Sequence, residues 1–202
     1  MALWLDQQKL VLGSRSSARR DMLTAAGIPV ELRPADIDER AIEARAGERD
    51  PAQAALLLAQ EKALAASAIS PGRIVVGADQ TLALGARRFS KPKDRDGARA
   101  QLQALAGQTH ALHSGVAVVR DGVVVFSHFD TARLTMRPLS ETCLDAYLDA
   151  VGADAYASVG GYQLEKLGIH LFERIEGDHF TILGMPLLPL LAYLRRAGLL
   201  AN

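Results

Sequence analysis

Two serines and an arginine follow the first apolar run of the chain. Ser14 and Ser16 lie in a polar break after Lys9–Leu12, and Arg19 stands one turn inside a helix predicted from Ser17. The first amides of a helix have free N–H groups and lie at the positive end of its dipole, so they suit a phosphate. Serines at this place more commonly cap the helix. The loop by itself allows either role.

A carboxylate stands where a second apolar run is predicted to end. Asp79 comes shortly after Arg73–Gly77, which is expected to be a strand. Ligands of α/β sheets bind beyond the carboxyl ends of the strands. A carboxylate there can hold Mg²⁺ or act as a general base on a water molecule. A helix cap or a turn aspartate would fit the same position, and the spacing leaves these roles open.

Two lysines complete this group of charged side chains. Lys62 lines up with Leu58 and Ala65 at helical spacing, which places it along an apolar helix face. Lys91 follows Asp79 across a predicted hairpin; taken alone, it is more commonly a solvated loop residue. An arginine, two lysines and several carboxylates suit metal-assisted hydrolysis of a phosphoanhydride. The cations offset the charge of the substrate, and a carboxylate activates water.

Other phosphate and metal motifs are missing from the sequence. It contains no G-x-x-x-x-G-K-[ST] loop, no G-x-G-x-x-G after a strand and no H-E-x-x-H or Cys/His zinc pattern. The five histidines are therefore expected to be ordinary surface or strand residues. Cys143 has no second cysteine to pair with, and we expect a packed or half-buried thiol in a reducing compartment.

The composition is ordinary for a globular protein. Hydrophobic residues make up 49% and charged residues 23% of the 202 residues. The 23 basic and 23 acidic side chains balance, so the totals give no sign of a nucleic-acid surface. No run approaches the roughly 20 apolar residues that span a bilayer, and the N-terminal segment does not resemble a secretory signal. We expect a cytoplasmic protein that binds neither nucleic acid nor membrane.

The elements that must position these residues mix strands and helices without strict alternation. A chain of this length suits one domain, or two lobes that share a core, and the mixture predicts an α/β or α+β fold with a mixed sheet. Helices are predicted at 17–26, 51–67, 94–106, 141–151 and 186–197. Strands are predicted at 9–12, 30–32, 73–77, 111–119, 123–130, 131–137, 169–174 and 179–183.

Four blocks of sequence carry a resemblance to a known family. The first has the pattern S-x-S-x-x-R and the second A-x-x-K-A. The third joins Gly-Ala-Asp-Gln to a later Lys-Pro and Leu-Ala-Gly-Gln-Thr-His, and the fourth begins with Gly-Gly-Tyr-Gln-Leu-Glu. They lie at 12–20, at 58–63, at 77–80 with 91–92 and 105–110, and at 160–165 with 175–178 and 183–187. In this order they resemble the Maf-type nucleotide pyrophosphatases from Leu10 to Gly198.

The resemblance implies a fold and an activity. The family fold is an elongated α/β structure, a mixed sheet with flanking helices and a central cleft, similar to inosine triphosphatase. It would span residues 1–202 as a single domain of two lobes, and homodimers are common. The reaction would cut a nucleoside triphosphate between its α and β phosphates, with Mg²⁺ or Mn²⁺, and give a nucleoside monophosphate and pyrophosphate.

The resemblance also implies a role for each matching residue. Asp79 would be the catalytic carboxylate, accepting a proton and binding the metal. The acidic segment before residue 40 would assist the metal, through Glu39 or its neighbours Asp36 and Asp38. The residues that would hold the substrate phosphates are Ser14, Ser16, Arg19, Lys62 and Lys91.

Base choice in this family tracks three positions, which are Ala18, Gln80 and Glu165 in this chain. One branch prefers dTTP and UTP and has Arg, Thr and Gln there; another prefers 7-methyl-GTP and has Trp, Gln and Glu. Gln80 and Glu165 match the second branch, and a glutamate can accept hydrogen bonds from guanine N1–H and the 2-amino group. Ala18 lacks the large side chain that would pack on the base. Lys166 stands where the family usually has glycine.

Two alternative functions remain open at this point. The chain could be a dTTP/UTP pyrophosphatase of the same family, or a nucleotide-binding regulator of cell division without useful catalysis. Asp79 argues for an enzyme, because a protein that only binds nucleotides has no need of a base beside the phosphates.

Overall fold

A computed structural model of the protein describes residues 3–34, 36–39, 41–42 and 50–202. The strands are β1 (Leu10–Leu12), β2 (Val30–Leu32), β3 (Ile74–Leu84), β4 (Arg87–Phe89), β5 (Thr109–Arg120), β6 (Val123–Met136) and β7 (Phe172–Glu176). The main α-helices are α1 (Ser17–Ala25), α2 (Pro51–Ala68), α3 (Arg95–Leu105), α4 (Glu141–Val151), α5 (His179–Ile182) and α6 (Leu187–Arg196). Short 3₁₀ helices lie at Gly152–Tyr156, Val159–Gly161 and Leu167–Leu171.

The described strands form one seven-stranded mixed sheet in the order β2-β1-β3-β5-β6-β7, with β4 paired to β3. Strand β1 runs parallel to β2 and to β3, in a register that sets Leu12 opposite Val76. Strand β4 is antiparallel to β3, and β7 is antiparallel to β6. The prediction of a mixed α/β sheet with flanking helices is therefore confirmed.

The chain divides into two compact units. Unit 1 comprises Met1–Gln80, His113–Asp130 and Asp178–Asn202, as far as these ranges are described. Unit 2 comprises Thr81–Leu112 and Thr131–Gly177.

The core of unit 1 forms where β1 and β3 meet α1 and α6. Leu12, Leu23, Val76 and Leu190 are among its fully buried side chains. Helix α1 is amphipathic and turns Met22, Leu23 and Arg19 inward, as its spacing predicts. Arg19 is therefore buried on the inner face of α1, unlike an arginine that only makes a helix soluble.

Helices α3 and α4 turn their inner faces to the core of unit 2, which also contains buried strand residues such as Leu134 and Met136. Helix α3 begins after its N-cap Asp94 and buries Ala98, Leu102 and Leu105, as predicted. Helix α4 is capped by Ser140, also as predicted. The side chains that α4 buries are Leu144, Tyr147 and Leu148.

Several predicted strands differ from those observed. The strand predicted at 169–174 begins only at Phe172, after the 3₁₀ helix Leu167–Leu171. The strand predicted to end at Gly77 continues to Leu84, because antiparallel pairing with β4 extends it. The separate strand predicted at 131–137 is the second half of β6. The strand predicted at 179–183 is wrong: the segment is helix α5, because the Asp178 side chain accepts a hydrogen bond from the Thr181 amide and starts a helical turn.

Candidate active site

A lysine joins two carboxylates in unit 1. Lys62 Nζ lies 2.5 Å from Asp79 Oδ1 and 2.8 Å from Glu39 Oε1. The Lys62 and Asp79 side chains are each 13% exposed, whereas Glu39 is 56% exposed. Burying an ion pair carries a desolvation penalty that its Coulomb attraction seldom exceeds by much. The lysine of this buried pair also contacts a second, more exposed carboxylate. Such an arrangement is more typical of a functional site than of an ion pair that only stabilises the fold.

Close packing of α2 against the sheet places Lys62 over Asp79. A Cβ atom added at Gly77 would stand 2.2 Å from the backbone oxygen of Ala59, and one at Gly13 would stand 3.0 Å from that of Lys62. Only glycine allows backbones to approach so closely. The small side chains of α2 complete the fit and bring the lysine within reach of the strand.

Asp79 lies just beyond the parallel pairing of β1 and β3. That pairing ends at Leu12 and Val76, and Gly13 N donates to Val76 O at 2.8 Å as the chains diverge. The sequence analysis placed Asp79 after a strand, and the structure places it inside β3. The chemical expectation still holds locally, because the carboxylate lies beyond the carboxyl end of a parallel pair.

The Arg19 guanidinium is held from within. Its Nε donates to Gly184 O at 2.9 Å, and its Nη1 donates to Ala78 O at 2.8 Å and to Ser14 Oγ at 3.2 Å. Among the described residues Nη2 has no hydrogen-bond partner, so two N–H donors remain for a ligand. Burial lowers the pKa of Arg19, and the negative charges of Asp79 and then Glu39 oppose that shift. Donors of this kind suit the oxygens of a carboxylate or a phosphate.

The two serines have different roles in the structure. Ser16 is the N-cap of α1, and its Oγ accepts a hydrogen bond from Arg19 N at 3.4 Å. The capping alternative is therefore observed for this residue. Ser14 is buried, and its Oγ also accepts from Ser16 N at 3.2 Å. Ser14 thus links the loop backbone to the guanidinium of Arg19, and Ala18 lies half-buried between Ser16 and that arginine.

The side-chain amide of Gln80 is committed within unit 1. Its Nε2 lies 3.0 Å from Ser114 Oγ, 3.0 Å from Thr181 O and 2.9 Å from Ile182 O, all of which can accept. Ser114 is itself buried and donates to Thr181 O at 2.7 Å. These bonds connect helix α5 to strand β3. The bonded Ile182 lies two residues before Gly184, whose carbonyl accepts from Arg19. The bonds of Gln80 also fix the amide orientation, so only the Gln80 oxygen is left to accept from a ligand.

The three acidic side chains before residue 40 contact three different partners. Asp36 pairs with Arg15 at 3.0 Å on the surface, and Asp38 Oδ1 accepts from the Ala41 amide at 3.0 Å. Only Glu39 reaches Lys62. Of the three acids proposed to assist a metal, the structure therefore favours Glu39.

The other predicted site residues belong to unit 2. Lys91 and Glu165 are both exposed, and neither takes part in the hydrogen bonds described above. Lys166 Nζ lies 2.8 Å from Asp154 Oδ2. The lysine that replaces the usual glycine is thus paired with a neighbouring acid.

Sequence reasoning missed a buried histidine–tyrosine pair in unit 2. His110 lies on strand β5, as expected of a strand histidine, but it is only 1% exposed. Its Nε2 lies 2.6 Å from the hydroxyl of Tyr162. Burial lowers the pKa of His110 to about 4 and raises that of Tyr162. The only signal in the sequence was that both residues lie in blocks that carry the family resemblance.

The carboxylates of unit 1 fit a hard divalent cation. In the described part of the chain no three His, Cys, Asp or Glu side chains converge as a metal centre. Mg²⁺ is commonly held by only one or two carboxylates, together with substrate phosphates and water. Asp79 and Glu39, which share one ammonium, supply that number of oxygen ligands.

A carboxylate, a lysine and a buried arginine thus lie near the carboxyl end of two parallel strands of an α/β protein, an arrangement that suits an anionic ligand. The chain belongs to the Maf-like protein family, whose model matches residues 9–197. The resemblance found in the sequence is thereby confirmed.

Similar proteins cover the whole chain. It is 59% identical over 201 residues to a nucleoside triphosphate pyrophosphatase of Rhodopseudomonas palustris, with 100% of each chain aligned. It is 51% identical over 193 residues to a 7-methyl-GTP pyrophosphatase of Mesorhizobium japonicum, covering 95% of this chain and 97% of that protein. A solved structure of a HAM1 protein from Coxiella burnetii aligns with a TM-score of 0.41 at 14% identity, over 64% of this chain and 73% of that chain. None of the described helices has the length and apolar character to cross a bilayer.

Proposed function

We propose that this chain hydrolyses the α–β phosphoanhydride of a nucleoside triphosphate and releases pyrophosphate and a nucleoside monophosphate. The observation that carries the proposal is the contact of Lys62 with Asp79 and Glu39, beside an arginine with two free donors. The chain is an enzyme, a hydrolase of the Maf-like family, and its full-length relatives are named as pyrophosphatases.

Asp79 is the proton acceptor in this proposal. Its Oδ1 is bonded to Lys62, and its Oδ2 has no hydrogen-bond partner among the described residues. That free oxygen can take a proton from the attacking water molecule. The Lys62 ammonium beside Asp79 can also contact the phosphate oxygens of a bound substrate. The lysine would therefore orient the base and bind the substrate.

The remaining cations hold the triphosphate. Arg19 presents Nη2 from a guanidinium that backbone carbonyls prevent from turning, and such preorganisation stabilises developing charge without reorganisation. Ser14 and Ser16 orient the loop around it. Lys91 is proposed as a further phosphate ligand on the strength of the family resemblance alone. A bound Mg²⁺ or Mn²⁺ would supply Lewis-acid stabilisation of phosphoryl oxygens. Asp79 and Glu39 are the residues that would hold it.

The substrate that the residues favour is 7-methyl-GTP or a related modified nucleotide. Glu165 is exposed and lies beside Lys166, whose positive charge attracts it. Its exposed carboxylate can accept hydrogen bonds from a guanine edge. The methylated base carries a positive charge that a carboxylate attracts. Gln80 offers an oxygen acceptor, and Ala18 leaves room for a large base. The Mesorhizobium relative is named for this substrate.

The experiment is pyrophosphate release with Mg²⁺ from 7-methyl-GTP, GTP, dTTP and UTP at equal concentration. We expect the highest kcat/KM with 7-methyl-GTP. A preference for dTTP or UTP would keep the enzyme and overturn the base assignment. No release from any nucleotide by folded protein would favour the regulator. We also expect a cytoplasmic homodimer, and light scattering at assay concentration checks the oligomer.

A further inference from the structure

A loop in unit 2 carries the proposed base-reading glutamate and is anchored at its first three residues. We call Gly160–Gly168 the Glu165 loop. Gly160 N donates to Gln101 Oε1 at 2.9 Å, and the Tyr147 hydroxyl donates to Gly161 O at 3.3 Å. The third tie is the bond of Tyr162 to His110, at 2.6 Å the shortest of the three. Every one of these partners lies outside the loop.

The loop backbone needs these ties because it turns sharply. Gly160 and Gly161 have φ values of 83° and 76°, in the left-handed region. At Gly168 an added Cβ would stand 2.4 Å from the backbone oxygen of Gln163, so the loop closes tightly on itself. Glycine-rich backbone has many alternative conformations to lose on folding. Its single conformation here depends on the contacts that hold it.

The His110–Tyr162 pair is the buried tie. Both side chains are almost fully buried, and Phe172 packs on both, with ring centroids 5.9 Å from His110 and 4.8 Å from Tyr162. His110 Nδ1 has no partner among the described residues. The hydrogen bond to Tyr162 is therefore the one that the His110 imidazole makes within the described residues. Separating the pair would leave two polar groups unsatisfied in an apolar environment, which strongly disfavours any other position of the loop.

We propose that His110 and Tyr162 are positioning residues for base selection. By fixing the loop three residues before Glu165, they hold its exposed carboxylate in one place, so that binding a base requires little further ordering. Leu164, which is also buried, extends the anchored segment to the residue adjoining the glutamate. The inference rests on the proposed function only in assigning base reading to Glu165; the anchoring of the loop stands apart from it.

The test compares Tyr162→Phe with Tyr193→Phe, which removes a hydroxyl from a half-buried tyrosine in unit 1. Tyr162→Phe keeps the ring that packs on Phe172 and removes only the tie. We expect the ratio of kcat/KM between the best and worst triphosphates to fall about tenfold. Amide hydrogen exchange in the Glu165 loop should rise at least tenfold, while α3 and α4 stay protected. The control should change neither quantity.

A second pair of variants separates hydrogen bonding from filling of the core. His110→Gln can still bond the tyrosine hydroxyl, whereas His110→Leu fills space without a polar atom. We expect His110→Gln to retain more base discrimination and loop protection than His110→Leu. The reverse order, or unchanged exchange and unchanged ratio in Tyr162→Phe, would overturn the inference. Wild-type protein without pyrophosphatase activity would refute the proposed function alone, because loop exchange would still decide whether the tie positions the loop.

Discussion

Acid should destabilise this protein through His110. Burial lowers the pKa of this side chain from 6.5 to about 4, so the folded state holds the imidazole neutral where the unfolded state would protonate it. Between these pKa values the unfolded state binds more protons, and stability falls as the pH falls. The contribution of the neutral His110 side chain to the free energy of unfolding is fully present above about pH 6.5 and is lost as the pH falls through about 4.

The size of the effect follows from the shift. A tenfold change in a protonation equilibrium corresponds to about 1.4 kcal/mol, so a pKa lowered from 6.5 to about 4 removes about 3 kcal/mol of stability in all, and about 2 kcal/mol by pH 5. That is a large fraction of the 5–15 kcal/mol that stabilises a typical domain. The physical cause is desolvation, because Tyr162 offers the ring one neutral hydrogen bond and none of the described acidic side chains lies beside it to favour the imidazolium.

The assay is urea unfolding of the wild type and His110→Gln at pH 7.5, 6 and 5. Other titrating groups contribute equally to both proteins, so the difference between their unfolding free energies isolates the histidine. We expect that difference to shift against the wild type by about 2 kcal/mol between pH 7.5 and pH 5. A difference that stays constant over this range would refute the reasoning.

Three further predictions concern the site itself. Gly77→Ala should destabilise the protein by about 3 kcal/mol and lower kcat, because its Cβ would collide with the α2 backbone; thermal unfolding and turnover measure this. Gly97→Ala in α3 is the control, because the atom nearest to its Cβ would be a side-chain oxygen of Asp94 at 3.2 Å, and it should cost less than Gly77→Ala. Arg19→Lys should lower kcat/KM about 100-fold, because a lysine cannot reproduce the fixed donors of the guanidinium, and an unchanged value would remove the arginine from the site. Glu165→Gln should move the base profile toward pyrimidines in the same pyrophosphate assay; an unaltered profile would show that this residue does not read the base.

Local signals predicted most of the elements. Asp50 and Pro51 mark the start of α2 as a cap and a first-turn proline, and Ser140 marks the start of α4. The Asp121–Gly122 turn has φ values of 49° and 77°, the pair that a two-residue hairpin requires. In each case the deciding physics lies within a few residues of sequence.

One error arose where contacts distant in sequence decide the structure, and another where a nearby helix cap was overlooked. Nothing near Gly77 announces that β4 will pair with β3 and extend it past Asp79. A strand was predicted at 179–183, but the Asp178 side chain accepts a hydrogen bond from the Thr181 amide and starts a helical turn instead.

The candidate site was only partly predictable, because contacts between residues distant in sequence assemble it. Helical spacing placed Arg19 and Lys62 on inward faces, which the structure bears out. It could not show that Glu39 rather than its neighbours meets the lysine, since only the packing of α2 on the sheet determines this. The pair of His110 and Tyr162 joins residues 52 positions apart and left no periodic trace.

The central claim is that Asp79 of unit 1 serves as the base for cleavage between the α and β phosphates. The most direct test follows products from the preferred triphosphate with Mg²⁺, for the wild type and Asp79→Asn, alongside nucleotide binding. The wild type should release pyrophosphate and nucleoside monophosphate in equal amounts. Asp79→Asn should bind nucleotide measurably and lose at least 1,000-fold in kcat, the order expected when a general base is removed. Full turnover by Asp79→Asn, or release of inorganic phosphate and a diphosphate by the wild type, would contradict the account.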